Sequence, residues 1–409
     1  MLHRESLFDR TFAPLRRALF GSTTSEDPKA ELSESGVEKL KLQIEDCLYR
    51  RGGEVSARAH AADLGHFYLK LGRDGRRRFL SLLATDYGVD RGRVDAAMAT
   101  LRDLEPGEDS SQAERQLRSD LVPRRVELLK QFNNLSQGVK FLVDMRAEII
   151  SMMPETQELR ALNDDLRELL TSWFDVGFLN LQRITWDAPA ALLEKLMAYE
   201  AVHEIRSWDD LKNRLDSDRR CFAFFHPSMP DEPLIFVEVA LVSGMADNVQ
   251  ELLDLHALEG DPGKADTAIF YSISNAQAGL AQVSFGDFLI KRVVDELRSD
   301  LPNLRTFATL SPVPGFRRWL DKLLAETDVA PWTLIQDGVL AEVAGVGSGS
   351  EALQILLARG NWHCDEAAVA ALRPVLEPLV ARYLLKEKKG QWALDPVENF
   401  HLSNGARLE

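Results

Sequence analysis

The stretch from Thr267 to Leu320 (TAIFYSISNAQAGLAQVSFGDFLIKRVVDELRSDLPNLRTFATLSPVPGFRRWL) constrains the fold most, because its hydrophobic period switches between strand and helix within one short segment. Ala268 to Ile273 is aromatic and β-branched and reads as a central strand. A polar loop, Asn275 to Gly286, follows. Apolar residues at Leu289, Val293, Val294 and Leu297 then mark a helix that opens just past Gly286 and closes before Pro302. Leu304 to Leu310 returns to strand character. Ser311-Pro-Val-Pro-Gly315 breaks it before an amphipathic run, Phe316 to Leu324. Strand, loop, helix, strand, turn and helix in this order describe a mixed α/β unit.

The loop Ala281-Gln282-Val283-Ser284-Phe285-Gly286-Asp287 precedes a helix N-terminus, where unpaired N–H groups and the positive dipole end favour a phosphate. Lys291 and Arg292 add charge one turn in. Strand-loop-helix units with a glycine are common, so pattern alone also fits a plain connection.

Upstream, from Ser35 to about Phe174, the text is nearly all helical. Ser35-Gly-Val-Glu38 has capping-box spacing, with Val37, Leu40, Ile44 and Leu48 on one face. Further helical runs cover Ala57 to Leu71, Arg76 to Tyr87, Gly92 to Leu104, Gln112 to Asn134, Val139 to Met152 and Glu158 to Trp173, a bundle of about seven helices. The cluster Arg73, Arg76, Arg77 and Arg78 could bind an anion, but a charge run at a helix start is ordinarily a solvated face. Leu159, Leu162, Leu166, Leu169 and Leu170 could pack against a second subunit or face their own bundle. His60 and His66 read as helix-face residues without a chemical task.

The character changes between Phe174 and Trp186, which puts a boundary between a helical domain, residues 1–173, and a second domain, residues 174–409. In the second, Ser207 caps a short helix, and Cys221 to His226 and Leu234 to Val242 form a hairpin stiffened by Pro227, Pro230 and Pro233. His226 reads as a structural hydrogen-bonder at the sheet edge. Ser272 and Ser274 alternate with apolar residues, and one of them could face a ligand. Beyond Leu320 the text is helical to Leu385, then a charged turn, then Leu394 to Glu409, composed like an ordered loop. The expected class is α+β.

Net charge of −15 argues against a nucleic-acid or anionic-membrane surface, so a polyanionic ligand must meet a local positive patch. Cys47, Cys221 and Cys364 form no paired framework, which fits a reducing, cytoplasmic setting. His363-Cys364 has no second pair near it, and no metal site is expected. No apolar run is long enough to span a bilayer. The N-terminus reads as an amphipathic helix; Glu5 and Asp9 count against a transit peptide.

The motifs AIFYSIS, GDFLIKRVV and LSPVPGF, with RRCFAFFHPSMPDEPLIFVEVAL (Arg219 to Leu241) and LDPVENFHLSNGA (Leu394 to Ala406), resemble the malonyl-CoA decarboxylase family from about Phe174 onward. The resemblance implies an acyl-CoA-binding fold like that of the N-acetyltransferases (GNAT-type), with an N-terminal helical bundle, helical C-terminal additions, and no metal or organic cofactor. It matches Ala281 to Asp287 to a pyrophosphate-binding segment and Phe270 to Ser274 to backbone that pairs with the pantetheine arm. It makes Ser311 and His401 the catalytic pair, serine described as proton acceptor and histidine as donor. Without it, Ser311 is a turn-forming Ser-Pro and His401 one histidine among eight. A neutral hydroxyl is a poor base near pH 7, so Ser311 suits better the role of hydrogen-bond donor to an oxyanion or carboxylate.

The implied activity is conversion of malonyl-CoA to acetyl-CoA and CO2. The implied assembly is a homo-oligomer, dimer or tetramer, through the helical domain. The competing expectation is a non-decarboxylating acyl-CoA binder or acyltransferase-like protein. Members of the family run on past the motif containing His401, where this sequence stops, a difference that leaves the site's completeness open.

Overall fold

The computed structural model describes residues 32–49, 54–135, 137–283, 288–326 and 332–409. The expected N-terminal helix and the loop residues Ser284, Phe285, Gly286 and Asp287 lie outside them. The chain divides into two compact units: residues 1–244, 250–268 and 272–306 make the first, and residues 245–249, 269–271 and 307–409 the second.

The first unit begins with helices α1 (Glu34–Leu48), α2 (Glu54–Lys70), α3 (Arg73–Asp86), α4 (Arg91–Arg102), α5 (Ser111–Asp120), α6 (Arg124–Asn133), α7 (Gly138–Met152) and α8 (Leu159–Trp173). Two sequence expectations change here. The cap of α1 is Ser33, whose hydroxyl accepts from Gly36 N at 3.2 Å, so Ser35 lies inside the helix. The run from Gln112 to Asn134 is two helices, because Pro123 lacks an N–H and disfavours helical backbone at Val122.

The bundle core joins Leu40, Ile44, Leu64, Phe79, Leu128, Phe132, Leu142 and Ile149. Tyr68 meets Phe79 edge-on at 5.1 Å, and Phe132 meets Phe141 at 5.2 Å. Leu159, Leu162, Leu166 and Leu170 are fully buried in this unit, with Leu169 packed beside them in part. That stripe is the bundle's own packing and not a spare contact for a second subunit. Part of the basic cluster is used within the bundle: Arg76 donates to the buried Glu148 and Arg78 to Leu32 O at 2.6 Å, while Arg77 pairs with Asp74 on the surface at 2.8 Å.

A sheet follows, in the order β1 (Asn180–Ile184), β2 (Arg219–Phe225), β3 (Ile235–Val242), β4 (Thr267–Asn275), β5 (Thr306–Thr309). β1, which the sequence reading missed, is a half-exposed edge strand whose register runs from Asn180 opposite Phe225 to Ile184 opposite Cys221. β2 pairs antiparallel with β3, Cys221 opposite Glu238. Every residue of β2 is buried, since both faces are covered. One face packs on α9 (Ala190–Tyr199) and α10 (Trp208–Arg214) through Leu193, Leu196 and Leu211.

Asp266 N donates to Val242 O and Ala276 N to Leu234 O, which runs β4 antiparallel to β3. A single helical turn, α11 (Val249–Leu252), precedes β4, and α12 (Phe288–Asp300) follows it. Thr306 N donates to Asp266 O and Leu310 N to Phe270 O, so β5 runs parallel to β4 across α12. A parallel neighbour requires such a crossover. The strand, helix and strand read from the sequence are all present.

In the second unit come α13 (Phe316–Glu326), α14 (Leu334–Ala344), α15 (Gly349–Ala358), α16 (Glu366–Lys386), the hairpin β6 (Lys388–Lys389) and β7 (Trp392–Ala393), and α17 (Pro396–Ser403). Leu320, Leu340, Leu353, Leu356 and Leu372 form its core. The expected loop at Leu394 to Glu409 is therefore corrected in its middle, where Pro396–Ser403 is a helix. Asp395 caps it by accepting from Val397 N at 2.9 Å and Glu398 N at 3.2 Å, and Pro396 sits where a missing N–H costs nothing. No helix among the described residues is long and apolar enough to cross a membrane.

Candidate active site

Ser311 stands just past the end of β5. The bond from Leu310 N to Phe270 O, 2.9 Å, fixes the chain immediately before it. Pro312 to Gly315 then turn into α13. His401 lies on the last turn of α17, where Asn404 N and Ala406 N close on its carbonyl at 3.1 and 3.0 Å. Ser311 Oγ and His401 Nε2 are 3.0 Å apart across 90 residues of sequence, both side chains half-buried. Burial lowers the proton affinity of the His401 ring below the ordinary 6.5. At pH 7 the ring is neutral, and one of its two nitrogens carries the proton.

Asp395 is the N-cap of the helix that carries His401. Its carboxylate is 1% exposed and, besides capping α17, accepts from Gly315 N at 3.0 Å and from the Tyr383 hydroxyl at 3.3 Å. Burial, with the Asp395 charge next, pushes the Tyr383 phenol up to about 12, so it stays a donor. The same turn and the start of α17 line a cavity of about 580 Å³ whose walls include Trp319, Tyr383, Arg318, Lys322 and Arg382. That volume is in the range of small-molecule sites.

The phosphate-loop candidates lie in the first unit. Of the seven, Ala281, Gln282 and Val283 are described. Ala281 N donates to Ala278 O and Val283 N to Leu280 O, so these two donors are spent within the turn. Gln282 sits in the left-handed region at φ 64°. Two arginines that the sequence reading overlooked hold the segment. The buried Arg146 on α7 donates to Gly279 O at 2.6 Å, Ala281 O at 2.8 Å and Asn163 Oδ1 at 3.1 Å, and Arg167 on α8 donates to Gln282 Oε1 at 3.2 Å. Burial, and after it the neighbouring Arg167, pull Arg146 down to about 10. A Cβ on Gly279 would collide with the Val143 carbonyl, so only glycine allows this approach to α7. No sequence signal marks these contacts, because Arg146 reads as one more charged position on an amphipathic helix.

Other candidates resolve into structure. Ser272 and Ser274 both donate to the Glu200 carboxylate at 2.8 to 3.0 Å, and Ser274 also accepts from Ala201 N, so both hydroxyl protons are spent. His226 accepts from Ser228 N at 3.1 Å through Nδ1 and lies against Phe174 with the rings tilted, centroids 4.7 Å apart, as expected of a structural residue. Lys291 and Arg292 are exposed on α12. Among the described residues no group of three or more His, Cys, Asp or Glu could hold a metal ion.

Comparison with known proteins adds an independent line. Residues 177–409 match the malonyl-CoA decarboxylase C-terminal domain, and residues 87–174 match its N-terminal domain. The mitochondrial malonyl-CoA decarboxylase of Anser anser anser is 39% identical over 367 residues, 86% of this chain and 73% of its own length. That of Rattus norvegicus is 38% identical over 369 residues, 86% of this chain and 74% of its own. The crystal structure of malonyl-CoA decarboxylase from Rhodopseudomonas palustris superposes with a TM-score of 0.80 at 42% identity, covering 91% of this chain and 86% of that one. The one from Agrobacterium vitis gives 0.78 at 39%, covering 90% and 86%. With both domain patterns matched along the chain, and solved relatives sharing its fold at such identity, the chain belongs to the malonyl-CoA decarboxylase family of carboxy-lyases.

Proposed function

We propose that the chain converts malonyl-CoA to acetyl-CoA and CO2 with Ser311 and His401 as its catalytic residues. The observation that carries this reading is the 3.0 Å separation of Ser311 Oγ and His401 Nε2. A polar pair held half-open at the end of a strand fits proton transfer better than stability.

The substrate's carboxylate lies two bonds from a thioester carbonyl. When the C–C bond breaks, its electron pair moves onto that carbonyl as an enolate, and carbon dioxide departs neutral. The protein must then stabilise one oxyanion and supply one proton. With Nε2 protonated, His401 donates to Ser311 Oγ, and the Ser311 hydroxyl donates onward to the developing oxygen anion. Such a chain strengthens as charge develops. The enolate carbon collects the proton from Nε2 of the imidazolium, and the neutral ring left behind takes another from solvent, so the net proton consumed is solvent's.

CoA binding is proposed for Ala281 to Asp287 together with the N-terminus of α12. Arg146 and Arg167 beside that loop support it, since they place positive charge there in an otherwise acidic chain. The strand backbone from Phe270 to Ser274 is proposed to meet the pantetheine arm. Micromolar affinity requires about −8 kcal/mol, more than one helix terminus contributes, so these contacts must share it. An antiparallel β1 to β4 run followed by the parallel β4-α12-β5 unit supports an acetyltransferase-type sheet. The unpaired cysteine framework supports a cytoplasmic setting.

Incubation of EDTA-treated protein with malonyl-CoA should release CO2 and acetyl-CoA in equal amounts, and Ser311→Ala and His401→Ala should each lose most of the turnover while still binding CoA. Transfer of an acetyl group to an amine without CO2 would overturn the reading.

A further inference from the structure

Ser311 and His401 belong to different segments, and a shift of about 1 Å between reacting groups can cost ~10²-fold in rate. Something must hold those segments together. Among the described residues, neither side chain makes a hydrogen bond beyond the one they share. The turn of Ser311 and the helix of His401 do share one: the carboxylate of Asp395. Its Oδ1 takes the first two free N–H groups of α17, and its Oδ2 takes Gly315 N, four residues after Ser311, and the Tyr383 hydroxyl.

We infer that Asp395 is a positioning residue that sets the Ser311 to His401 separation by joining the helix of one to the turn of the other, with Tyr383 as the donor that orients its carboxylate. The inference rests on the dyad reading above. Four donors converge on one buried carboxylate at 2.9 to 3.3 Å, and a charged acceptor holds such donors more strongly than a neutral one. Two of the four belong to the capping of a helix, which an ordinary N-cap would satisfy. The other two reach outside the helix. Gly315 is shaped to this use, because a Cβ there would collide with the Tyr383 hydroxyl and crowd Asp395 Oδ2 at 3.1 Å.

The chemistry of Asp395 offers a variant that separates the two tasks. In Asp395→Asn, the side-chain carbonyl still caps α17, as asparagine does about as well as aspartate. The amide NH2 then faces the Gly315 N–H, donor against donor, and the link to the turn is lost. The expected result is a kcat lower by ~10²-fold with KM for malonyl-CoA nearly unchanged, and a melting temperature lowered by the one buried N–H left without its acceptor. Tyr383→Phe should lower kcat by a few-fold in the same direction.

The decisive measurement is the Ser311→Ala background. If Asp395 acts through the pair, Asp395→Asn costs far less there than in the wild-type protein, because effects within one unit are not additive. A full ~10²-fold loss in both backgrounds would assign Asp395 a merely structural role, as would a wild-type kcat in Asp395→Asn. Should Asp395→Asn fail to fold, the same cycle with Tyr383→Phe decides. Retained activity in both Ser311→Ala and His401→Ala would remove the dyad itself. Lost activity there with full activity in Asp395→Asn and Tyr383→Phe would remove only this inference.

Discussion

The helical region α1 to α8 and the C-terminal helical unit use the same kinds of side chain to opposite ends. In the bundle, several buried polar groups are matched to one another: Tyr68 and Arg76 both donate to Glu148, Arg125 reaches Asp165 at 2.6 Å, and Lys140 lies on Asp144. Burial raises the proton affinity of Glu148, and Arg76 opposes it, so the carboxylate is held by its partners. In the C-terminal unit, Asp395 is treated in the same manner, but Ser311 and His401 are left half-exposed with each other as hydrogen-bond partner. A fully matched group has no bond left to make with a substrate. Function therefore sits where matching stops short.

The strongest test of that contrast is His401→Ala, which should lower kcat by ~10²–10⁴-fold while the protein keeps its melting temperature, read by steady-state kinetics and calorimetry side by side. A large loss of stability instead would place His401 with the bundle's structural residues.

Phe132→Ala should behave oppositely. The ring is fully buried among Phe141, Leu128 and Leu142, and its removal should destabilise by about 3–5 kcal/mol in a denaturant titration, with kcat per folded molecule unchanged. Altered kcat per folded molecule would show that the bundle tunes the chemistry.

The pH profile sharpens the comparison further. Because burial holds His401 below 6.5, the protonated ring is lost as pH rises, so kcat/KM should fall through a value under 6.5. A bound malonyl carboxylate favours the imidazolium, so the limb of kcat should lie at higher pH than that of kcat/KM. The same lowered affinity contributes stability above pH 6.5 that is lost as pH falls. Identical profiles for kcat and kcat/KM would count against a proton on His401 in the reaction.

The smallest effect belongs to the surface. Arg77→Ala removes an exposed pair with Asp74 and should change stability by no more than about 0.5 kcal/mol and activity not at all. A larger effect would mean that the basic cluster has a ligand.

Much of the molecule is legible in the sequence. The spacing of Leu159, Leu162, Leu166 and Leu170 marks a buried helix face, and the run Ala268 to Ile273 marks the strand now seen as β4. The failures have local causes. A proline inside a strongly helical run, Pro123, was overridden by the periodicity around it. β1 went unread because an edge strand exposed on one side lacks a clean alternation. The Asp, Pro, Asn and Gly content of the segment bearing His401 suggests a loop, although Asp395-Pro396 is also the signature of a helix start.

The sequence by itself determined the order of elements, the faces they bury and the motifs that tie the chain to its family, because each depends on neighbours a few residues away. Only the tertiary structure decided that Ser272 and Ser274 are spent on Glu200, that Arg146 grips the loop after β4, and that one carboxylate at Asp395 joins two segments 80 residues apart. Hydrogen-bond partners over such separations follow from how the helices and strands pack, and no periodicity along the chain encodes them.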